Sequence, residues 1–463
     1  MLKAINDVLW GNLTQRVVLV VFVMLNGLLM LFSVPEGPYA AGGDIGVYIQ
    51  PARELLNGNG FVHPDGQPYV WGPPLFPVFL AIFLGLLPWE VALYGIVTVQ
   101  CVMLYAIGLM TSRLCGHVAP KASTLAQVLV IFNPNLLITA HLLQTEILFT
   151  FLMTAGVVVV FSFRASPHWA KVVYTGLLLG LATLTRPAGQ FVIYILPVLF
   201  VLLGAWTDRE TWSRLLPAGV LAAVVAILTV SPWVLRNHAL FGTPFLTVNA
   251  GWYLEDQYRQ LLHNGYGMSG LETKAAADDR VRERLPSFNL NTESMQNLPR
   301  ISQSRILSGI YLDAMLEVPV SVHARVFIES LAELYIAGGA SNIRNYLGIE
   351  GKQAIVQFQG ESRSSLADAA RRLFSRISYG YAVLLVIAFG YTLAMRTIGI
   401  VGLVSMFRKG MSSQVLAILA VMAVLTLSYL YLGQSRFRVP LEPYLAVMSA
   451  IGISAVRGKV DRK

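Results

Sequence analysis

Two carboxylates and four arginines stand where long apolar stretches begin or end: Asp44, Glu146, Arg186, Arg236, Arg436 and Arg438. Ionisable groups at membrane depth are costly unless they are paired or used. A carboxylate beside cations in a partly dry pocket can take the proton from a hydroxyl as that hydroxyl attacks. The planar fork of an arginine matches the oxygens of a phosphate. A base and a phosphate clamp together at a membrane face point to a lipid-phosphate leaving group. Taken singly, any of these arginines could equally snorkel to the interface or meet a lipid headgroup. Asp44, taken singly, could equally cap a helix. The case for chemistry is that all six come from distant parts of the chain to one face.

The elements that must position them are membrane helices. Of 463 residues, 55% are hydrophobic and only 13% charged, where a soluble domain is nearer a quarter charged. The apolar residues come in runs at 17–34, 91–112, 122–139, 146–163, 171–185, 188–206, 215–235, 377–400, 413–432 and 439–456, lengths suited to a bilayer core of about 30 Å. The first is read as a retained anchor, because no small-residue cleavage site follows it. Leu75–Leu87 is shorter and opens on Pro73-Pro74, as expected of a helix lying in or dipping into the interface. With the N-terminus inside, Arg113/Lys121, Arg164/Lys171, Arg209/Arg214, Arg408/Lys409 and the basic C-terminus all fall on the cytoplasmic side, which is the positive-inside pattern for about ten spans. The net charge of +9 is therefore a topology signal and not a nucleic-acid footprint. Cys101 and Cys115 are too few for a disulfide framework.

Asn237 to about Arg376 is the one long polar segment, with helical stretches expected at Thr273–Leu285 and Val318–Tyr335. The chain thus divides into an N-terminal transmembrane module (1–236, with an acidic first outward loop at 35–90), a soluble extracytoplasmic domain (237–376) and C-terminal transmembrane helices (377–463). In the first loop the glycines before Asp44 allow a sharp turn, and Pro51 places a helix start near Gln50, with a stop at Asn57-Gly58. No phosphate-cradling glycine loop or metal-ligand cluster of standard spacing occurs.

The motifs resemble those of the GT-C superfamily, glycosyltransferases that use polyprenyl-phosphate sugars, and most closely its bacterial members related to protein mannosyltransferases and the lipid A aminoarabinose transferase. Asp44 in the first loop, followed by Trp71-Gly72-Pro73-Pro74-Leu75-Phe76-Pro77, resembles the acidic loop and its proline-rich juxtamembrane helix. Gln144-Thr145-Glu146 resembles the second acidic site, and Gly180 to Pro187 the glycine-rich helix that ends in Thr-Arg-Pro. Pro232-Trp233-Val234-Leu235-Arg236-Asn237 is similar to the exit into the outward domain, and Ser435 to Pro443 to the late arginine motif. Ile45 and Gly72 depart from the pattern, where many relatives carry a second acid and a lysine.

The resemblance implies an all-α polytopic bundle with periplasmic juxtamembrane helices and a small outward domain. It implies an inverting transfer at the periplasmic face of a bacterial inner membrane. Asp44 would be the base, and Glu146 would orient the acceptor or share that role. Arg186, Arg236, Arg436 and Arg438 would hold the donor phosphate, and Tyr48, Trp71 and Glu442 would line the substrate pocket. The partners implied are the lipid-linked donor, which is a co-substrate and not a cofactor, and an acceptor that is a glycan, a glycolipid or a protein. No metal is implied, although two carboxylates could hold a divalent ion, and the chain is expected to act as a monomer. An O-antigen ligase or polymerase and a lipid-linked-sugar flippase are the competing readings.

Overall fold

A computed structural model describes residues 13–32, 45–162, 168–204, 209–347, 379–408 and 413–460. Asp44 lies outside the described residues, as do the rest of 33–44, the stretch 348–378, and Lys3, Arg164, Lys409, Arg462 and Lys463 of the charge pattern. The described chain is helical throughout. Its single β contact is an isolated bridge between Val62 and Pro68 in the first loop.

The N-terminal part runs α1 (Leu13–Phe32), α2 (Ile45–Leu56), α3 (Leu75–Leu86) and α4 (Trp89–Val118). It continues through α5 (Ser123–Ile131), α6 (Pro134–Ala140), α7 (Glu146–Phe161), α8 (Trp169–Thr183), α9 (Gly189–Gly204) and α10 (Arg209–Phe241). The polar segment supplies α11 (Ala250–Tyr266), α12 (Gly270–Arg284), α13 (Thr292–Gln296), α14 (Arg300–Leu316), α15 (Val320–Ile336) and α16 (Ala340–Tyr346). Then come α17 (Tyr379–Arg408), α18 (Ser413–Leu427), a 3-10 turn (Ser435–Leu441) and α19 (Glu442–Val460).

Each of the ten apolar runs falls on one of these helices or on a pair of them. By length and composition, five segments can cross a bilayer: Leu13–Leu31, Trp89–Val118, Ser213–Phe241, Gly380–Arg408 and Ser435–Arg457. The count rises to seven if each of two bent pairs is one span: α5 with α6, bent by 54°, and α14 with α15, bent by 108°. The α14–α15 pair lies in the polar segment and is none of the ten runs; among the described residues, the runs too short by this measure are α7, α8, α9 and α18, which have 16, 15, 16 and 15 residues. At 1.5 Å per residue such helices reach only about 23 Å.

Three departures from the sequence reading have local causes. The run 122–139 is broken at Asn133-Pro134, because Pro134 has no N–H to continue the ladder. The Asn133 side chain then caps the new helix, accepting from the Asn135 and Leu136 amides at 3.0 and 3.3 Å. α2 starts at Ile45, well before Gln50, with Pro51 inside it. One lost main-chain bond there is offset by Ile49 and Ala52, which bury in the same core as Phe76 and Leu80 of α3. The boundary drawn at 237 falls inside α10, which runs unbroken to Phe241 and ends where Gly242 takes a left-handed φ of 72°. In the polar segment both expected helices are present, as α12 and α15; α12 opens on a capping box between Ser269 and Glu272.

Two close helix crossings set the frame around the site. α8 leans on α10 at Gly180, where a Cβ would lie 2.6 Å from Thr229 Cβ. α17 and α19 meet backbone to backbone: a Cβ on Gly402 would collide with the Met448 carbonyl, and one on Gly452 with the Ile398 carbonyl. Contacts of this kind let membrane helices pack without a hydrophobic drive between them. Gly402→Ala is therefore expected to cost about 1–3 kcal/mol in denaturant melts in detergent. Gly390→Ala, on the same helix but with nothing within 4 Å of the added Cβ, should leave the melt unchanged or slightly raised. Equal melts for the two variants would contradict the crossing.

Candidate functional site

Glu146 opens α7 and is fully buried. Its Oε1 accepts from Arg186 Nη1 at 2.5 Å and from Arg436 Nε. Its Oε2 accepts from the Thr145 hydroxyl at 3.3 Å, and that hydroxyl in turn accepts from Arg186 Nη1 at 3.3 Å. Among the described residues, two cations thus share one carboxylate oxygen. The arginine side chains keep a little solvent exposure, 12% for Arg186 and 22% for Arg436. The cluster is thus a buried acid whose two cations are not wholly enclosed.

The chain brings these groups together by specific local devices. Arg186 sits in the turn between α8 and α9, where its amide donates to Ala182 O at 2.9 Å and Leu184 O accepts from the Leu75 amide at 2.9 Å. That second bond ties the start of α3, and so the first loop, to the Thr-Arg-Pro turn. Arg436 lies in the 3-10 turn, which Asn135 of α6 holds by donating to Ser435 O at 3.2 Å. The break at Pro134 therefore serves the site: it frees a short, polar helix to grip the late arginine turn. Phe437 stacks on Tyr429 at 4.5 Å between ring centroids and 11° between planes, with Arg186 5.8 Å over the Phe437 ring. Tyr429 lies within electrostatic reach of Arg186, Glu146 and Arg436, and its buried hydroxyl has no hydrogen-bond partner among the described residues. Tyr48 also lies within electrostatic reach of Arg186 and packs edge-on against Phe76 at 5.2 Å.

The remaining expected site residues are elsewhere. Arg236 of α10 donates to Tyr69 O at 2.9 Å and to Phe61 O at 2.7 Å, with its guanidinium 4.5 Å over the Trp233 ring. Trp233 Nε1 donates to Leu246 O at 2.8 Å, and Asn237 Nδ2 to Phe245 O at 3.0 Å. The Pro-Trp-x-x-Arg-Asn sequence is thus a clasp: it fixes the first loop on one side and the chain leaving α10 on the other. Trp71 packs against Trp252 at 4.8 Å, with the exposed Arg300 over both rings. These residues form an aromatic contact between the first loop and the polar segment.

Arg438 and Glu442, expected at the donor phosphate and the substrate pocket, form a second and sealed cluster. Glu442 Oε1 accepts from Arg438 Nε and from Arg396 Nη2, both at 2.6 Å. Arg438 also donates to Leu334 O at 2.7 Å, and Arg396 Nε to Tyr335 O at 3.1 Å. Those carbonyls are in the last turn of α15, where helix carbonyls lack internal partners and favour cations. With Arg438 0% and Glu442 2% exposed, neither reaches a substrate. Their spacing of four keeps both at the 3-10 turn's end of α19, but places them on the side facing α15 and α17, away from Arg436. Arg396 was not singled out from the sequence, although an arginine inside an apolar run is itself a signal. Tyr429 and Thr145 carry no such signal as isolated residues. Among the described residues, no group of three His, Cys, Asp or Glu gathers as a metal site would require.

The chain matches no family model and no curated protein in sequence. In structure it superposes on the archaeal oligosaccharyltransferase AglB from Archaeoglobus fulgidus, solved with an inhibitory peptide and a dolichol-phosphate. That match has a TM-score of 0.54 and 17% identity, over 96% of this chain. The apo form of the A. fulgidus oligosaccharyltransferase matches at TM-score 0.54 and 16% identity. The chain has the GT-C fold. It spans about half of the oligosaccharyltransferase, 51% of that chain. ArnT from Cupriavidus metallidurans, bound to undecaprenyl phosphate, aligns more loosely, at TM-score 0.41 and 14% identity, over 96% of this chain and 79% of its own.

The second cluster yields a stability test. Glu442→Leu leaves two buried guanidiniums without a counter-charge and should cost about 3–5 kcal/mol, measured by denaturant unfolding in detergent. The double variant Glu442→Leu/Arg438→Met should recover part of that loss. A single variant as stable as wild type would show that Glu442 is not the buried counter-ion.

Proposed function

We propose that the chain is a membrane glycosyltransferase that moves a sugar from a polyprenyl-phosphate donor to a hydroxyl of a glycan, glycolipid or protein. The reaction takes place at the periplasmic face of a bacterial plasma membrane. The observation that carries this reading is the convergence of Arg186 and Arg436 on one Glu146 oxygen, beside the Tyr429 hydroxyl, unpartnered among the described residues. Two guanidiniums and one free O–H donor, held in place before any ligand arrives, suit a phosphate with several acceptor oxygens. The GT-C fold, seen in an oligosaccharyltransferase solved with a dolichol-phosphate, supports a lipid-linked donor.

In this reading the acceptor oxygen attacks the anomeric carbon as the bond from that carbon to the phosphate oxygen breaks. The acceptor proton passes to the Asp44 carboxylate, and the electron pair leaves with polyprenyl phosphate. Arg186 and Arg436 stabilise the charge that develops there, and Tyr429 donates a further hydrogen bond. Glu146 already accepts from both arginines, so its part is to hold them in place and the base is Asp44. Asp44 directly precedes α2, whose Tyr48 faces the same cluster. Arg236 supports the first loop from below. The positive-inside pattern of the sequence supports the outward placing.

Removing one charged hydrogen bond to the phosphate should cost about 1.5–3 kcal/mol, or roughly ten- to a hundredfold in affinity. Arg186→Ala and Arg436→Ala are each expected to weaken binding of undecaprenyl phosphate to the purified chain by that factor. Asp44→Asn should abolish sugar transfer from an undecaprenyl-phosphate sugar while binding stays at the wild-type level. Turnover by Asp44→Asn at the wild-type rate, or binding untouched by both arginine variants, would contradict the assignment.

A further inference from the structure

The tyrosine of the anion site belongs to the first five residues, 428–432, of the connection 428–434 between α18 and the 3-10 turn. Its Ser428, Tyr429, Leu430 and Leu432 amides turn back onto main-chain carbonyls of α18 and of the connection itself, and side chains of the polar segment hold much of the rest. Gln257 of α11 is 1% exposed and uses both ends of its amide: Nε2 donates to Tyr429 O at 3.0 Å, and Oε1 accepts from the Tyr431 amide at 2.8 Å. One turn earlier on α11, the Tyr253 hydroxyl donates to Ser428 O at 2.9 Å. From α15, Ser330 Oγ donates to Tyr431 O at 2.6 Å, and His323 pairs its Nδ1 with the Tyr431 hydroxyl at 2.6 Å. Between the two Gln257 bonds stands Leu430, at a φ of +43°. A side-chain-bearing residue in that region is strained, and it persists only where its surroundings impose it.

We propose that Gln257 is a positioning residue for the anion site. By gripping the connection on both sides of Leu430 it fixes the Tyr429–Phe437 stack and the Tyr429 hydroxyl beside Arg186 and Arg436. The polar segment thereby governs the geometry of the phosphate's third donor. This rests on the donor-phosphate reading above. The chemistry recognised is a phosphomonoester or phosphodiester headgroup, and Gln257 acts on it only through the connection.

The test uses the full chain in detergent, with farnesyl phosphate as the probe. Hydrogen exchange at 428–432 and probe affinity are measured for wild type, Gln257→Met, Tyr253→Phe and Arg186→Ala. Gln257→Met is expected to speed exchange of the Tyr431 amide and to weaken farnesyl phosphate about tenfold, with the thermal midpoint of the whole chain unchanged. Tyr253→Phe, which removes a single bond to the same connection, should give a smaller change of the same sign. Wild-type affinity in Gln257→Met, alongside weakened binding in Arg186→Ala, would overturn the positioning role and leave the donor site standing. Affinity that is the same in wild type and Arg186→Ala would sink the donor-phosphate reading itself, and this proposal with it. A Gln257→Met chain whose global melt falls as far as its affinity would reduce Gln257 to a packing residue.

Discussion

A carboxylate taken out of water must be met by cations, or the fold around it fails. Glu146 is fully buried at the head of a helix, and its two partners come from the turn after α8 and from the 3-10 turn before α19. Much of the architecture follows from that one requirement. The α5–α6 break supplies Asn135 to hold the late turn, and the Leu75 amide holds the Arg186 turn. Gly180 lets α8 approach α10 closely enough to carry Arg186 inward. The same solution is used a second time at Glu442, where Arg396 and Arg438 close around a carboxylate and also take up the free carbonyls ending α15. Both arginines of the first cluster keep some exposure, whereas Arg438 of the second keeps none, and that difference separates a site from a rivet.

The positions of the helices were legible in the sequence because bilayer-length apolar runs leave little choice of conformation. Positions of the breaks were legible only in part. Asn133-Pro134 is a stop-and-cap signal that the surrounding hydrophobicity masks, whereas Pro51 is a start signal that packing overrides, since α2 already runs from Ile45. Among the charged residues, Glu146, Arg186 and Arg436 could be grouped in advance because each stands at the edge of an apolar run. That rule does not tell a guanidinium paired with Glu146 from one spent on backbone carbonyls. Arg236 and Arg438 satisfy it equally, yet they hold the first loop and the end of α15. Gln257 and Tyr429 lie beyond the reach of such a rule. Their importance comes from hydrogen bonds across 172 and 174 residues, and spacing along a chain carries no trace of those.

The polar segment is more than a lid on the helices. Its α11 and α15 reach the connection carrying Tyr429, its α15 is bolted to α17 and α19, and Trp252 meets Trp71 of the first loop. The first loop and the elements around the late arginine turn therefore each have a counterpart in this segment that is not recognisable in the sequence. A swap of the segment between related chains would carry these grips with it and would alter the anion site as well as any acceptor surface.

The 290 residues between Glu146 and Arg436 also set an order of assembly. As the chain is made, Arg186 follows Glu146 closely and can neutralise it while the early helices enter the bilayer. Arg436 arrives much later, in the turn before α19. Until then Arg186 is the cation that meets the acid. The doubly paired carboxylate is thus a contact of very long range, and closing so large a loop makes it a late event in folding rather than an early one.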